Sequence, residues 1–269
     1  MRFNLRRNFF FFLSLAVSLA GFKSPAGADT FYGNSPTGLL DLSAEYRYPV
    51  FLYVPQNYKP DRKYPLIITV PDEGESPEKN IEYWTNLAKR RSLLVLSATN
   101  LWPEDTPYSM DEWILKIKRE ISQRYQVDPS KIFLTGKKGG AQYAGYLATN
   151  YPEEFSAVVL MNGHWDGKFG KLLHLRNRPA KQIPFLVVAN EGDQPLIDAV
   201  EKSAAKFEKK GYLVTLMKAK EDEQNSQEFK EKLLEWGQTS SETWGRKIRD
   251  SQKSWKEKSL NWMEKFFRV

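Results

Sequence analysis

The 269-residue chain contains no cysteine, which excludes a disulfide framework, a zinc–thiolate site, a cysteine nucleophile and a bacterial lipoprotein anchor. It contains only two histidines, His164 and His174, a severe restriction on hydrolytic chemistry that takes its proton shuttle from imidazole. Those two lie ten positions apart with no third ligand in view, so no metal site is read from them. No internal repeat and no low-complexity segment is visible, and no cofactor is called for. Although the formal charge is +7, residues 1–28 hold four of the 40 Lys/Arg and none of the 33 acids, leaving +3 on the rest. Residues 241–269 carry eight Lys/Arg against four acids, so the body over 29–240 is close to neutral, at −1. That balance gives no nucleic-acid footprint.

What is present is a chain with 41% hydrophobic residues, enough to bury a sizeable core. The first 28 residues read as a secretory signal. Arg2, Arg6 and Arg7 precede the apolar stretch Phe9 to Phe22, and Ala26-Gly27-Ala28 supplies a small-x-small cleavage pattern, with the cut expected after Ala28. The stretch is short for a bilayer span, and an uncleaved anchor is the alternative. A secreted or periplasmic location follows from the signal reading.

From 29 to 240 the pattern alternates. Residues 45–55 read as an outer strand. Apolar runs at Leu66–Val70, Leu93–Ser97, Ile132–Thr135, Ala157–Met161, Phe185–Ala189 and Tyr212–Met217 read as strands, the internal ones buried. Between them fall helical patterns: one capped by Ser76 with Pro77 at its first position, one capped by Ser109, one over about 139–150, one over about 195–210, and one over about 225–236. Strand–helix alternation predicts an α/β domain with a mostly parallel twisted sheet and helices on both faces. The longest irregular piece, 163–182, is a candidate cap or lid. Ligands in such sheets sit at the carboxyl ends of the strands, here near Pro71, Lys138, Asp193 and Lys220.

The run Val127-Asp128-Pro129-Ser130-Lys131-Ile132-Phe133-Leu134-Thr135-Gly136, followed by Gly139-Gly140 and later by Tyr151-Pro152-Glu153-Glu154-Phe155-Ser156-Ala157, resembles the secreted esterase branch of the α/β-hydrolase superfamily, which includes polyhydroxybutyrate depolymerases and feruloyl esterases. The resemblance extends over roughly residues 45–236 and implies an α/β-hydrolase fold. It also implies a G-x-S-x-G turn that lifts a serine to the top of the sheet. Here that turn is Gly136-Lys137-Lys138-Gly139-Gly140, with Lys138 where the nucleophile belongs. Asp193 matches the family's triad carboxylate. The family's histidine follows the last strand, where this chain has Lys218 to Gln224 and no histidine. The family's His-Gly after the strand equivalent to Leu66–Val70, which helps form the oxyanion hole, is replaced by Pro71-Asp72-Glu73-Gly74; proline has no N–H to donate. Departures at three separate places imply a hydrolase-fold protein without ester hydrolysis, acting by binding.

Several readings of these residues stay open. Lys138 pairs with Asp193 across the old site; or Lys137, Lys138 and the N–H groups around Gly139 hold a carboxylate or phosphate; or Lys138 is a Schiff-base nucleophile. Asp193 is equally a turn residue. His164 either faces the cleft as a ligand contact or is a loop histidine. Asp72, Glu73 and Glu75 either bind a cation or form an exposed polar loop. A working carboxylesterase using Ser97, Ser109 or Thr135 is the rival function. In the tail, Trp244, Ile248, Trp255, Trp262 and Phe266 recur near multiples of 3.5 or 3.6, with Ser251 and Ser259 at the intermediate seam positions. This predicts a C-terminal amphipathic helix with a basic opposite face. Its tryptophans either fold back on the domain or contact a membrane surface or an envelope partner.

Overall fold

The computed structural model describes residues 35–100, 107–165, 169–173, 183–243 and 245–246. The signal segment, His174 and the tail tryptophans Trp244, Trp255 and Trp262 lie outside the described side chains.

Eight strands form one sheet. They are β1 (Gly38–Asp41), β2 (Val50–Val54), β3 (Tyr64–Val70), β4 (Leu94–Ala98), β5 (Val127–Lys137), β6 (Ala157–Met161), β7 (Phe185–Asn190) and β8 (Val214–Ala219). Their order across the sheet is β1-β2-β4-β3-β5-β6-β7-β8. The β1–β2 and β2–β4 pairs are antiparallel, and every pair from β4 to β8 is parallel. The helices are α1 (Pro77–Arg91), α2 (Pro107–Arg124), α3 (Gly139–Asn150), α4 (Gln194–Lys209), the short α5 (Glu221–Asn225), and α6 over 227–243.

Side-chain alternation along the strands divides the apolar residues into two cores. Leu66, Ile68 and Val70 of β3 point to one face, where they pack with Ile114 and Ile117 of α2, Ala144 and Leu147 of α3, and Val200 and Phe207 of α4. Ile67 points to the other face, with Ile81, Trp84 and Leu87 of α1 and Phe229, Leu233 and Leu234 of α6. Helices therefore cover both faces, as the alternating pattern predicts.

Local signals set several boundaries. Ser76 caps α1, its hydroxyl accepting from the Lys79 N–H at 3.2 Å, with Pro77 following. The helix expected to be capped by Ser109 instead begins at Pro107, because proline's fixed φ and missing N–H suit the first helical position. The outer strand is shorter than residues 45–55: Ser43–Glu45 form a 3-10 turn and the ladder starts at Val50. β5 is longer than Ile132–Thr135, since Val127 already pairs with Tyr64 of β3. α6 runs through position 240 without a break in its helical backbone.

Candidate functional site

The site lies at the carboxyl ends of β3, β4, β5 and β6. At the end of β5 the chain turns sharply into α3, and Lys138 stands at the apex with φ 50° and ψ −113°. This is a sparsely populated region for a residue with a side chain, and holding it costs about 1–3 kcal/mol. Neighbouring glycines make the turn possible. A Cβ on Gly136 would lie 2.2 Å from the Gly140 carbonyl oxygen, and one on Gly140 would lie 2.4 Å from that of Val70. One on Gly163 would lie 2.5 Å from the carbonyl oxygen of Lys138, so the loop after β6 closes against the same turn. The Lys138 N–H donates to the Met161 carbonyl at 2.8 Å, tying the apex to β6.

Asp72, in the loop after β3, reaches into this turn. Its Oδ1 accepts the Gly139 N–H at 2.9 Å and the Glu73 N–H at 2.8 Å. Its Oδ2 lies 3.9 Å from Lys138 Nζ. A carboxylate oxygen thus holds two backbone donors beside the start of α3, where the peptide dipoles favour negative charge. Pro71 does remove one donor from this loop, but the Glu73 N–H converges with that of Gly139 on one point, and Asp72 fills it. The ion pair at the turn joins Lys138 to Asp72, not to Asp193. With the Lys138 side chain 63% exposed, that pair is worth little by itself.

Asp193 follows β7 and caps α4, its Oδ1 accepting the Leu196 N–H at 3.1 Å. This is the turn-and-cap role that aspartate performs in any fold. After β8, where the resemblance puts a histidine, Gln224 is buried and fixed. Its amide exchanges hydrogen bonds with Asn162 (2.8 and 3.4 Å) and donates to the Ala219 carbonyl at 3.1 Å, while Tyr83 OH donates to the Gln224 carbonyl at 2.5 Å. A carboxamide has no proton that titrates near neutrality, so it cannot serve as general base. His164 follows Gly163 and is partly buried, its ring 6.3 Å from that of Trp165.

Two cavities flank the turn. The larger, about 160 Å³, is lined by Asp72, Glu73, Asn100, Gly139, Gln142, Tyr143 and Phe169. The smaller, about 50 Å³, lies among Thr69, Glu75, Asn80, Tyr83, Thr135 and Lys137. Lys137 and Gly139 line different cavities, because Lys137 is the last residue of β5 whereas Gly139 opens α3 beyond the sharp bend at Lys138. Glu75 is tied into the structure: its Oε2 accepts the Asp72 N–H at 3.1 Å and Asn80 Nδ2 at 3.3 Å. Among the described residues no three of His, Asp and Glu gather as metal ligands.

Sequence reasoning missed Asn100, Gln142, Tyr143 and Phe169. Asn100 follows β4, a strand end that the carboxyl-edge rule would have included. Its Nδ2 donates to the Pro71 carbonyl at 3.1 Å. Behind Tyr143 lies Asp111, 1% exposed, whose carboxylate accepts from the hydroxyls of Tyr143 (3.3 Å), Tyr146 (2.8 Å) and Tyr151 (3.0 Å). Burial raises its pKa above the ordinary 3.8, and the three tyrosine hydrogen bonds pull it part of the way back. A raised acid pKa means that the folded state binds more protons than the unfolded state, so this group's contribution to stability falls as pH rises. Urea unfolding should show the wild type losing stability relative to Asp111→Asn as pH is raised from 3.8 toward the higher native value. Parallel pH curves would refute this.

No protein-family model and no curated protein matches the sequence. Solved structures do match in fold. S-formylglutathione hydrolase FrmB from Staphylococcus aureus aligns with a TM-score of 0.54 at 11% identity, over 71% of this chain and 92% of that one. The Francisella virulence factor BioJ aligns with a TM-score of 0.54 at 15% identity, over 75% and 84%. A thermostable esterase shares 22% identity over 70% of this chain, which spans 58% of that protein's length, with a TM-score of 0.49. The strand order and the first two likenesses make this an α/β-hydrolase fold. At these identities the likeness carries the fold and not the chemistry.

Proposed function

We propose that the protein is an exported α/β-hydrolase-fold protein that does not hydrolyse esters and acts by binding at the carboxyl edge of its sheet. The observation that carries this reading is the turn after β5: Lys138 stands at its apex, and the two N–H groups that would face a developing oxyanion are held by Asp72 Oδ1. An acyl-enzyme ester needs a hydroxyl at that apex, an imidazole to move its proton, and an empty pair of donors. Lysine supplies no hydroxyl, Gln224 follows β8 in place of an imidazole, and the donor pair is taken. Export is part of the proposal on the strength of the arginine-led apolar segment and Ala26-Gly27-Ala28. In the same proposal the tail with Trp244, Trp255 and Trp262 provides a second contact, with a membrane surface or an envelope protein.

The purified chain lacking residues 1–28 is tested on short and medium acyl esters beside Lys138→Ala and Asp193→Ala. Turnover is expected at the buffer rate for all three. Turnover well above buffer that falls in both variants would overturn the proposal and place lysine-dependent chemistry at the turn.

A further inference from the structure

We propose that the turn after β5 is a carboxylate-binding site that Asp72 occupies in the free protein, and that a small carboxylic acid takes it over by displacing the Asp72 side chain. The inference rests on the binding reading above and names the chemistry of its ligand.

The occupant itself defines that chemistry. Asp72 Oδ1 accepts two backbone N–H groups, from Gly139 at 2.9 Å and Glu73 at 2.8 Å, and Oδ2 faces Lys138 Nζ at 3.9 Å. One carboxylate oxygen on two converging donors, with the other toward an ammonium, defines carboxylate geometry and not merely negative potential. The fit is close: a Cβ on Gly139 would lie 3.1 Å from Asp72 Oδ1.

The occupant can also leave. Asp72 sits in the loop after β3, and its side chain is 27% exposed, so the carboxylate can rotate into water without opening the core. The same donors border the cavity of about 160 Å³, where Asn100, Gln142, Tyr143 and Phe169 surround room for the rest of a small acid. The turn's backbone is closely packed at Gly136, Gly140 and Gly163, so the Gly139 N–H remains aimed when the side chain departs.

Displacement has a defined cost. A tethered carboxylate competes at an effective concentration in the millimolar range or above, so removing it should strengthen binding of a free carboxylate about tenfold or more. The Gly139 amide reports this directly. In 1H–15N spectra of the chain without residues 1–28, acetate should shift the Gly139 resonance saturably in Asp72→Ala, at concentrations at least tenfold below those needed by the wild type. Adding Lys138→Gln to Asp72→Ala should weaken that response. If Asp72→Ala does not fold, Asp72→Asn, which keeps the shape and removes the charge, takes its place and should still bind acetate more tightly than the wild type. A folded Asp72 variant whose Gly139 amide ignores acetate, or responds no better than the wild type, overturns the proposal. So does an unchanged response after Lys138→Gln. Ester turnover is read separately, so an active esterase would defeat the functional proposal without touching this one.

Discussion

Gly140→Ala is expected to lose about 3 kcal/mol of stability, because overpacking against backbone cannot be relieved by a rotamer change. The added methyl carbon would sit 2.4 Å from the carbonyl oxygen of Val70 and 2.5 Å from that of Pro71. Both atoms belong to the end of β3 and its loop, so relief requires α3 to withdraw from the sheet. That movement would also separate the Gly139 N–H from Asp72. Gly74→Ala is the control. Gly74 has φ 78°, and a Cβ added there would meet nothing within 4 Å, so only left-handed backbone strain is at issue, about 1–2 kcal/mol. Urea unfolding of both variants separates close approach from conformational strain. Equal losses would show that the turn is less tightly closed than these distances require.

Trp165→Ala is expected to cost about 3–5 kcal/mol, as for a large aromatic removed from a packed core. Trp165 is fully buried, with its ring centroid 4.3 Å from that of Phe207 and 5.9 Å edge-on to Phe185. On its other side Gly145 of α3 leaves no room, since a Cβ there would lie 3.0 Å from Trp165 Cα. Trp165 therefore anchors the start of the 163–182 segment to α3 and α4. Phe169, 2% exposed, packs on Tyr143 and Tyr146 of α3 a few residues later while lining the larger cavity. Trp165→Phe should cost less, about 1–3 kcal/mol, since an aromatic ring is kept while part of the buried volume is lost, and among the described residues the indole N–H has no hydrogen-bond partner to lose. If Trp165→Ala unfolds at the wild-type urea concentration, the segment is not anchored through this residue.

The sequence revealed periodic and geometric features better than the identity of partners. α3 covers Gly139–Asn150 and β6 covers Ala157–Met161, as read from the glycine turn and the apolar run. The turn itself was legible because only glycine permits the contacts at Gly136 and Gly140. β1 was not legible: its four residues alternate between half-buried and exposed at the sheet edge and carry little apolar signal. Asp72 was visible as an acid beside the site, but its choice of partner was not. Two residues of opposite charge in sequence, Lys138 and Asp193, suggested a pair; the fold gives Asp193 to the α4 cap and brings Asp72 to the turn from a loop 67 positions away from Gly139. Asp111 escaped notice because its three tyrosine partners come from α3 and the residue after it, an arrangement that exists only once α2 and α3 pack. Side-chain hydrogen bonds between distant loops carry no periodicity, whereas the helix and strand patterns do.

On the proposed reading, this hydrolase fold holds no activated nucleophile. Intact-mass measurement after incubating the folded chain with excess fluorophosphonate tests it most directly, because such a reagent marks a serine only where a base and anion-stabilising donors activate it. The mass is expected to stay unchanged. A one-to-one adduct mapped to any serine would contradict it and locate a working nucleophile away from Lys138.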